Sequence, residues 1–314
     1  MNRSIISNQY IRLQFNGGLA SRFQVKMGRN WVDVAEPGRA LVFCLPWAGG
    51  VPRPMVLHEE EFYPPLASSR RMNGKLYFAG KKVNHLVRKR SISLRYVEEP
   101  ESLKGLERVV FFCGGKPSPY FSWYDANVVL TLNDNEILVR STVKNIGTRF
   151  LPVVMGVNAN LINPFGDSEL PWFNFRADSY FNCDERGVRV SGPFKINPQA
   201  SGEIEGKIRR FSKTDGPLLS YFLGSSAAAV YEHGQRMLSV KIRSCCQRNE
   251  VVPETCIQSE FKPNKGSLGL GLFSSAPNSL GKFNLDEEVP GLFVLDSGEV
   301  AEFQTSIVVT GRGF

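Results

Sequence analysis

The run Val128-Val-Leu-Thr-Leu132 meets Asn133-Asp134-Asn135, and the chain then leaves through Glu136-Ile-Leu-Val-Arg-Ser-Thr-Val143. Both arms are rich in β-branched residues. Along the second arm Ile137, Val139, Ser141 and Val143 recur at every other position, the period of a strand with one buried face. Asn and Asp tolerate the left-handed backbone that a tight reversal needs, so the stretch reads as a β-hairpin. The same period closes the chain: Ala301, Phe303, Ile307 and Val309 fall on one face, and Glu302, Gln304 and Ser306 on the other. That pattern predicts a half-buried final strand.

Working outward, turn signals separate such runs almost throughout, at Asn16-Gly17-Gly18, Asn73-Gly74, Asn145-Ile146-Gly147, Asp215-Gly216-Pro217 and Asp296-Ser297-Gly298. The 29 Gly and 19 Pro are spread rather than clustered, so no linker or boundary stands out, and residues 1–314 are expected to form a single domain. Helical patterning is confined to a short turn near Pro100 to Leu106. No repeat of fixed period points to a propeller. The expected class is all-β, a large antiparallel sandwich.

With 42% hydrophobic and 22% charged residues, the composition is that of a folding globular chain. The first eleven residues lack the apolar run of a signal peptide, and nothing later approaches a membrane span, so a cytoplasmic protein without a membrane partner is expected. The six cysteines (Cys44, Cys113, Cys183, Cys245, Cys246, Cys256) show no CxxC pair and predict reduced thiols rather than a disulfide framework or a metal site. The charge of +8 raises nucleic acid as a partner. Its densest run is Lys81, Lys82, Arg88, Lys89 and Arg90, with a lesser cluster at Lys207, Arg209, Arg210 and Lys213. Alternation along a strand would put such residues on a solvated face, and no zinc-finger, RNP or P-loop motif accompanies them, so nucleic acid is not expected.

Several segments, taken in order, resemble the aldose 1-epimerase (galactose mutarotase) superfamily. Asn16-Gly-Gly-Leu-Ala-Ser-Arg-Phe-Gln-Val-Lys with Trp31-Val-Asp-Val is similar to its opening hairpin. Pro65-Leu-Ala-Ser-Ser-Arg-Arg-Met-Asn-Gly-Lys-Leu-Tyr-Phe-Ala-Gly-Lys resembles the Asn-Arg-Ile-x-x-Gly-x-Phe unit. Pro119-Tyr-Phe then leads into the hairpin already described, and Asn145 to Leu161 resembles the segment that ends in His-Pro-Tyr-Phe or His-Thr-Tyr-Phe. Gly291-Leu-Phe-Val-Leu-Asp-Ser-Gly-Glu-Val resembles the approach to the last strand. The resemblance implies a galactose mutarotase-like supersandwich and a sugar ligand.

It also implies what the chemistry would need: a glutamate base, a histidine acid, and a second histidine, an arginine and an aspartate to hold the sugar. By position Arg70 stands where the family has its arginine, with Arg71 as the alternative if the register slips; a guanidinium suits hydroxyl or phosphate oxygens. At the histidine position stands Asn158, with Asn160 two residues on along the same strand face. An amide hydrogen-bonds but does not transfer protons near neutrality. Ser274 or Ser275 occupies the glutamate position, with Asp286, Glu287 and Glu288 nearby, and Leu219-Ser-Tyr-Phe-Leu stands where the aspartate is expected.

Of the three histidines, His85 is the candidate for the remaining family histidine, His58 precedes Glu59, Glu60 and Glu61, and His233 before Gly234 reads as a hairpin turn. Catalytic candidates are therefore His85 and Glu59. Substrate-binding candidates are Arg70, Arg71, Asn158, Asn160 and Trp172, the last with Trp123, Tyr124 and Phe173 among aromatics that could stack on a sugar ring. Asn163 to Phe173 reads as a long loop. No cofactor or metal is expected. Two functions compete: an atypical epimerase-like enzyme acting on a sugar or sugar phosphate, and a non-catalytic carbohydrate-binding protein. An interaction protein, or an enzyme of different chemistry, on the same scaffold is a further alternative. The Arg70-Arg71 pair and the positive charge lean towards an anionic sugar, and the oligomeric state is left open.

Overall fold

In a computed structural model, the described residues are 3–16, 19–45, 69–72, 75–78, 81–82, 95–96, 108–115, 123–148, 151–166, 172–183, 189–195, 204–207, 218–244, 256–262, 267–275 and 293–312. They are strands and their connections, without a helix. The first strands are β1 (Arg3–Ser7), β2 (Ile11–Asn16), β3 (Leu19–Met27), β4 (Asn30–Asp33) and β5 (Leu41–Cys44). Then come β6 (Ser69–Met72), β7 (Lys75–Phe78), β8 (Lys81–Lys82), β9 (Arg95–Tyr96), β10 (Arg108–Gly115), β11 (Tyr124–Asn133) and β12 (Glu136–Asn145). The middle holds β13 (Leu151–Val153), β14 (Gly156–Ile162), β15 (Trp172–Cys183), β16 (Arg189–Lys195) and β17 (Ile204–Lys207). The last are β18 (Leu218–His233), β19 (Arg236–Ser244), β20 (Cys256–Lys262), β21 (Ser267–Phe273), β22 (Phe293–Leu295) and β23 (Val300–Arg312).

Eighteen strands join in one antiparallel sheet, beside a β13–β22 pair and a three-stranded sheet of β6, β7 and β8. The large sheet divides along β18. One edge of β18 pairs with β15, while the other gives residues 226–233 to β19 and residues 218–223 to β20. From β19 the sheet continues through β23, β12, β11 and β10; from β20 it continues through β21, β14, β5 and β3. Both branches supply one apolar cluster. Ile137, Val139, Leu238, Val240, Ile242 and Ile307 come from the first branch, and Val157, Ala159, Leu161, Leu268, Leu270 and Leu272 from the second. This is the all-β antiparallel architecture expected from the strand period.

The hairpin at residues 128–143 forms as read: β11 pairs with β12 from Tyr124↔Asn145 to Asn133↔Glu136. Asp134 takes φ 47°, and Asn135 donates its Nδ2 to the Val309 carbonyl at 2.7 Å. The final strand departs from simple alternation, because residues 303–307 are buried on both faces. β23 lies between β12 and β19, and long side chains from both neighbours close over its polar face. Arg243 of β19 reaches Glu136 of β12 at 3.2 Å and donates to Ser306 Oγ at 3.3 Å, while Arg140 binds Glu302 at 2.7 Å. Ser306 also donates its hydroxyl to Glu136. The stems of such residues cover a strand while their heads stay wet.

Two turns predicted separately meet at Asn145, which is fully buried. Its Nδ2 donates to the Leu295 carbonyl at 2.9 Å, its Oδ1 accepts from Gly147 N at 3.1 Å, and its backbone carbonyl accepts from Gly298 N at 2.9 Å. Gly298 itself sits at φ 87°, where a side chain is strained. The Asn145-Ile146-Gly147 and Asp296-Ser297-Gly298 turns are thus one clamp joining β12 to the start of β23.

Candidate functional site

Period-2 alternation in β14 sends Val157, Ala159 and Leu161 into the core and leaves Asn158 and Asn160 on the other face. The partner strand β21 alternates more sharply. In Leu268-Gly-Leu-Gly-Leu272 every leucine is on the core face, and Ser267, Gly269, Gly271 and Phe273 share the opposite one. Register puts Asn158 opposite Gly271 and Asn160 opposite Gly269. The result is a trough with a glycine floor and an asparagine wall.

The amides are wired to one another. Asn158 Nδ2 donates to Asn160 Oδ1 at 3.1 Å, and Asn160 Nδ2 donates to the Arg39 carbonyl at 2.6 Å. The Asn160 backbone is held as well, N to Ala40 O at 3.0 Å and O from Glu36 N at 2.7 Å. Asn160 is only 6% exposed and acts as the anchor, whereas the Asn158 amide is half-buried. An amide carries two donor hydrogens and an acceptor oxygen. The bond to Asn160 uses one of the Asn158 donors.

Glycine is required beneath these groups. A Cβ at Gly156 would lie 2.0 Å from Phe273 Cδ1 and 2.6 Å from the Leu272 carbonyl oxygen. One at Gly271 would lie 2.6 Å from Phe273 Cε2 and 3.0 Å from Asn158 Oδ1. The Phe273 ring therefore lies over Gly156 and Gly271 at one end of the trough. At the other end Ser267, 1% exposed, has a hydroxyl without a hydrogen-bond partner among the described residues. A buried hydroxyl left unpaired costs free energy, so its presence on this face is notable.

The third strand of the trough was not anticipated from the sequence. In β20, Gln258 stands opposite Gly271 and Glu260 opposite Gly269, so both positions share the face of Asn158 and Asn160. Two inter-strand spacings, about 9.5 Å, separate the β14 and β20 positions. The signal was present in the alternation of Cys256-Ile-Gln-Ser-Glu-Phe-Lys, but only the register with β21 reveals which of its positions share the face of Asn158 and Asn160.

The serines at the expected glutamate position are both buried. Ser274 Oγ accepts from Met155 N at 3.0 Å and Ser274 N donates to Met155 O at 2.7 Å, which latches the end of β21 to the start of β14. A hydroxyl in that bond and an amide at Asn158 provide no group that titrates near neutrality.

Arg70 and Arg71 lie in β6, opposite Tyr77 and Leu76, in the small sheet rather than the one carrying Asn158; their side chains are outside the described ones. His85, His58, Glu59 and Asp286 to Glu288 are outside the described residues. Trp172 is 39% exposed and opens β15, where it faces Val230 and Lys207. In that strand it is Phe181, not Trp172, whose register runs through Tyr221 and Gln258 to Gly271. Trp172 thus stands nine positions from the trough's row, roughly 30 Å along an extended strand. Trp123 is exposed and Tyr124 buried at the start of β11. His233 does close a hairpin, paired with Arg236 across Gly234-Gln235, and its ring stacks on Phe165 at 5.9 Å. Among the described residues, no three of His, Cys, Asp and Glu gather as metal ligands, and no helix is long and apolar enough to cross a membrane.

No protein-family model matches this chain, and no curated protein does. Solved structures do. A galactose mutarotase related enzyme from Lactobacillus acidophilus superposes with a TM-score of 0.66 at 12% identity, over 98% of this chain and 97% of that one. A galactose mutarotase-like protein from Lactobacillus casei gives 0.64 at 12% identity, over 98% and 100%. The GalM/aldose epimerase homologue from C. elegans gives 0.59 at 13% identity, over 98% of each. At such identities the likeness is one of fold, and the fold is the galactose mutarotase-like supersandwich.

Proposed function

We propose that this chain binds a sugar on the glycine-floored face of β14, β21 and β20, without the histidine–glutamate pair of ordinary mutarotation. The observation that carries the reading is the Asn158–Asn160 amide pair held over Gly271 and Gly269. A strip of backbone at Gly269, edged by fixed amides and closed at the Gly271 end by the Phe273 ring, suits a flat ring whose hydroxyls both donate and accept. Neighbouring structures named for galactose mutarotase and aldose epimerase support a sugar as the ligand class.

The same reading takes residues 1–314 as one working unit in the cytoplasm, keeps Arg70 and Arg71 as ligands for sugar oxygens, holds Trp172 as a stacking candidate only for a saccharide away from this row, and leaves His85 and Glu59 as the groups through which any altered epimerase chemistry would run. A saturation-transfer NMR screen against aldoses and hexose phosphates, with anomer exchange recorded in the same tubes, tests it. Binding with exchange at the buffer rate is the expected result. Exchange above that rate, lost in His85→Ala or Arg70→Ala, would make the protein an epimerase, and silence across the panel would remove the sugar altogether.

A further inference from the structure

We infer that the free edge of β4, with Arg12, Lys26 and Trp31 beside it, is a docking site for an extended acidic segment of a partner protein. The site lies outside the trough and does not depend on the sugar-binding reading. β4 pairs with β3 and, among the described residues, with no other strand. Val34 N donates to Phe23 O at 3.0 Å, so in the register Gln24↔Asp33 and Lys26↔Trp31 the main-chain N–H and C=O of Trp31 and Asp33 point away from β3. An edge with unpaired main-chain groups is a template for an added strand.

The charge laid over this edge selects what can be added. Arg12 belongs to β2, two inter-strand spacings from β4, about 9.5 Å. Its guanidinium nevertheless crosses β3 and lies 4.2 Å from the centroid of the Trp31 ring. Lys26 Nζ lies 5.2 Å from the same centroid and donates to the Arg29 carbonyl at 3.0 Å. One ring therefore holds two cations at the edge. Like charges so placed repel, and neither has a carboxylate partner among the described residues. Asp33, the acid on this face, is taken by Arg22, which donates from Nε at 3.0 Å and from Nη2. Arg29, exposed in the turn between β3 and β4, adds a third positive charge.

An anion received between Arg12 and Lys26 relieves their repulsion, and the ring has already ordered the side chains that meet it, which lowers the cost of binding. An extended chain fits better than a lone anion. With its main chain paired to Trp31 and Asp33, every second side chain of an added strand faces the cations. Aspartate or glutamate at those positions is the complement, and lysine there is repelled.

The test follows the Trp31 indole N–H resonance and the exchange of the Trp31 and Asp33 backbone amides in the isotope-labelled full chain, while a capped peptide of alternating Glu and Thr is titrated in. Saturable indole shifts, slowed exchange at both amides and weaker binding at higher salt are expected. Arg12→Gln combined with Lys26→Gln should weaken the peptide about tenfold, the size of two exposed ion pairs. Arg140→Gln removes a cation already paired with Glu302 and should leave binding unchanged. The same peptide with Lys in place of Glu should not bind. If inorganic phosphate or a single-stranded DNA oligonucleotide moves the indole at lower concentration than the peptide does, the partner is not an acidic protein segment and the assignment falls. It falls equally if the peptide shifts the indole without protecting the two amides, or if the double variant binds as wild type does. If nothing moves the indole, Arg12 and Lys26 only guard a free edge against pairing.

Discussion

The two faces of the β14–β21 pair are built from alternate residues of the same strands, yet they do opposite things. One face, with Val157, Ala159, Leu161, Leu268, Leu270 and Leu272, is entirely apolar and lies in the core shared by both branches of the sheet. The other, with Asn158, Asn160, Ser267, Gly269, Gly271 and Phe273, is nearly as deeply buried but carries amides, a hydroxyl and glycine backbone partly covered by one aromatic ring. Burial by itself thus says little about role. Leucines fill volume and fix the fold, while Gly156 and Gly271 make room for the Phe273 ring and the amides keep hydrogen-bonding capacity where packing alone would have chosen apolar side chains.

The contrast breaks most visibly in the core. Leu270→Ala should cost about 3 kcal/mol, seen as a lower urea midpoint at unchanged slope, since a fully buried leucine leaves a cavity. On the glycine face the reverse change is the damaging one. Gly156→Ala should cost about 2 kcal/mol because its methyl would meet the Phe273 ring and the Leu272 carbonyl, and Gly156→Ala combined with Phe273→Ala should recover part of that loss in the same titration.

Tyr231 puts a polar atom on the wrong side of the comparison, because its hydroxyl is buried with the core residues and has no partner among the described residues. Burial pushes its pKa up, since the ionised form is desolvated. The folded state keeps its proton where the unfolded chain loses it, so this residue's contribution is intact below the ordinary tyrosine value of about 10 and is lost as pH rises above it. Tyr231→Phe should flatten that alkaline loss and raise stability by about 1 kcal/mol, read from denaturation at pH 7 and pH 11. The smallest effect is expected for Arg243→Ala, below about 1 kcal/mol, because its bridge to Glu136 is half exposed and solvent-screened.

Which parts were legible follows from the same physics. The hairpin at Asn133-Asp134-Asn135 and the turn at His233 could be read because strand period and turn chemistry are local. Asn158 and Asn160 could be placed on one face for the same reason. The burial of Gln304 and Ser306 could not, because it is imposed by Arg243 and Glu136 reaching across β23 from strands distant in sequence. Nor could the place of Glu260. The position of the family's glutamate falls on Ser274, whereas Glu260 comes to stand opposite Gly269 through the register of β20 with β21, which no spacing within either strand encodes.

The most direct test is to follow the side-chain amide resonances of Asn158 while a neutral aldose is titrated into isotope-labelled protein, with Asn127 on β11 as the reference. Saturable shifts at Asn158 and none at Asn127 are predicted. Binding that leaves Asn158 unmoved, or shifts both amides alike, would contradict a sugar site on the glycine-floored face.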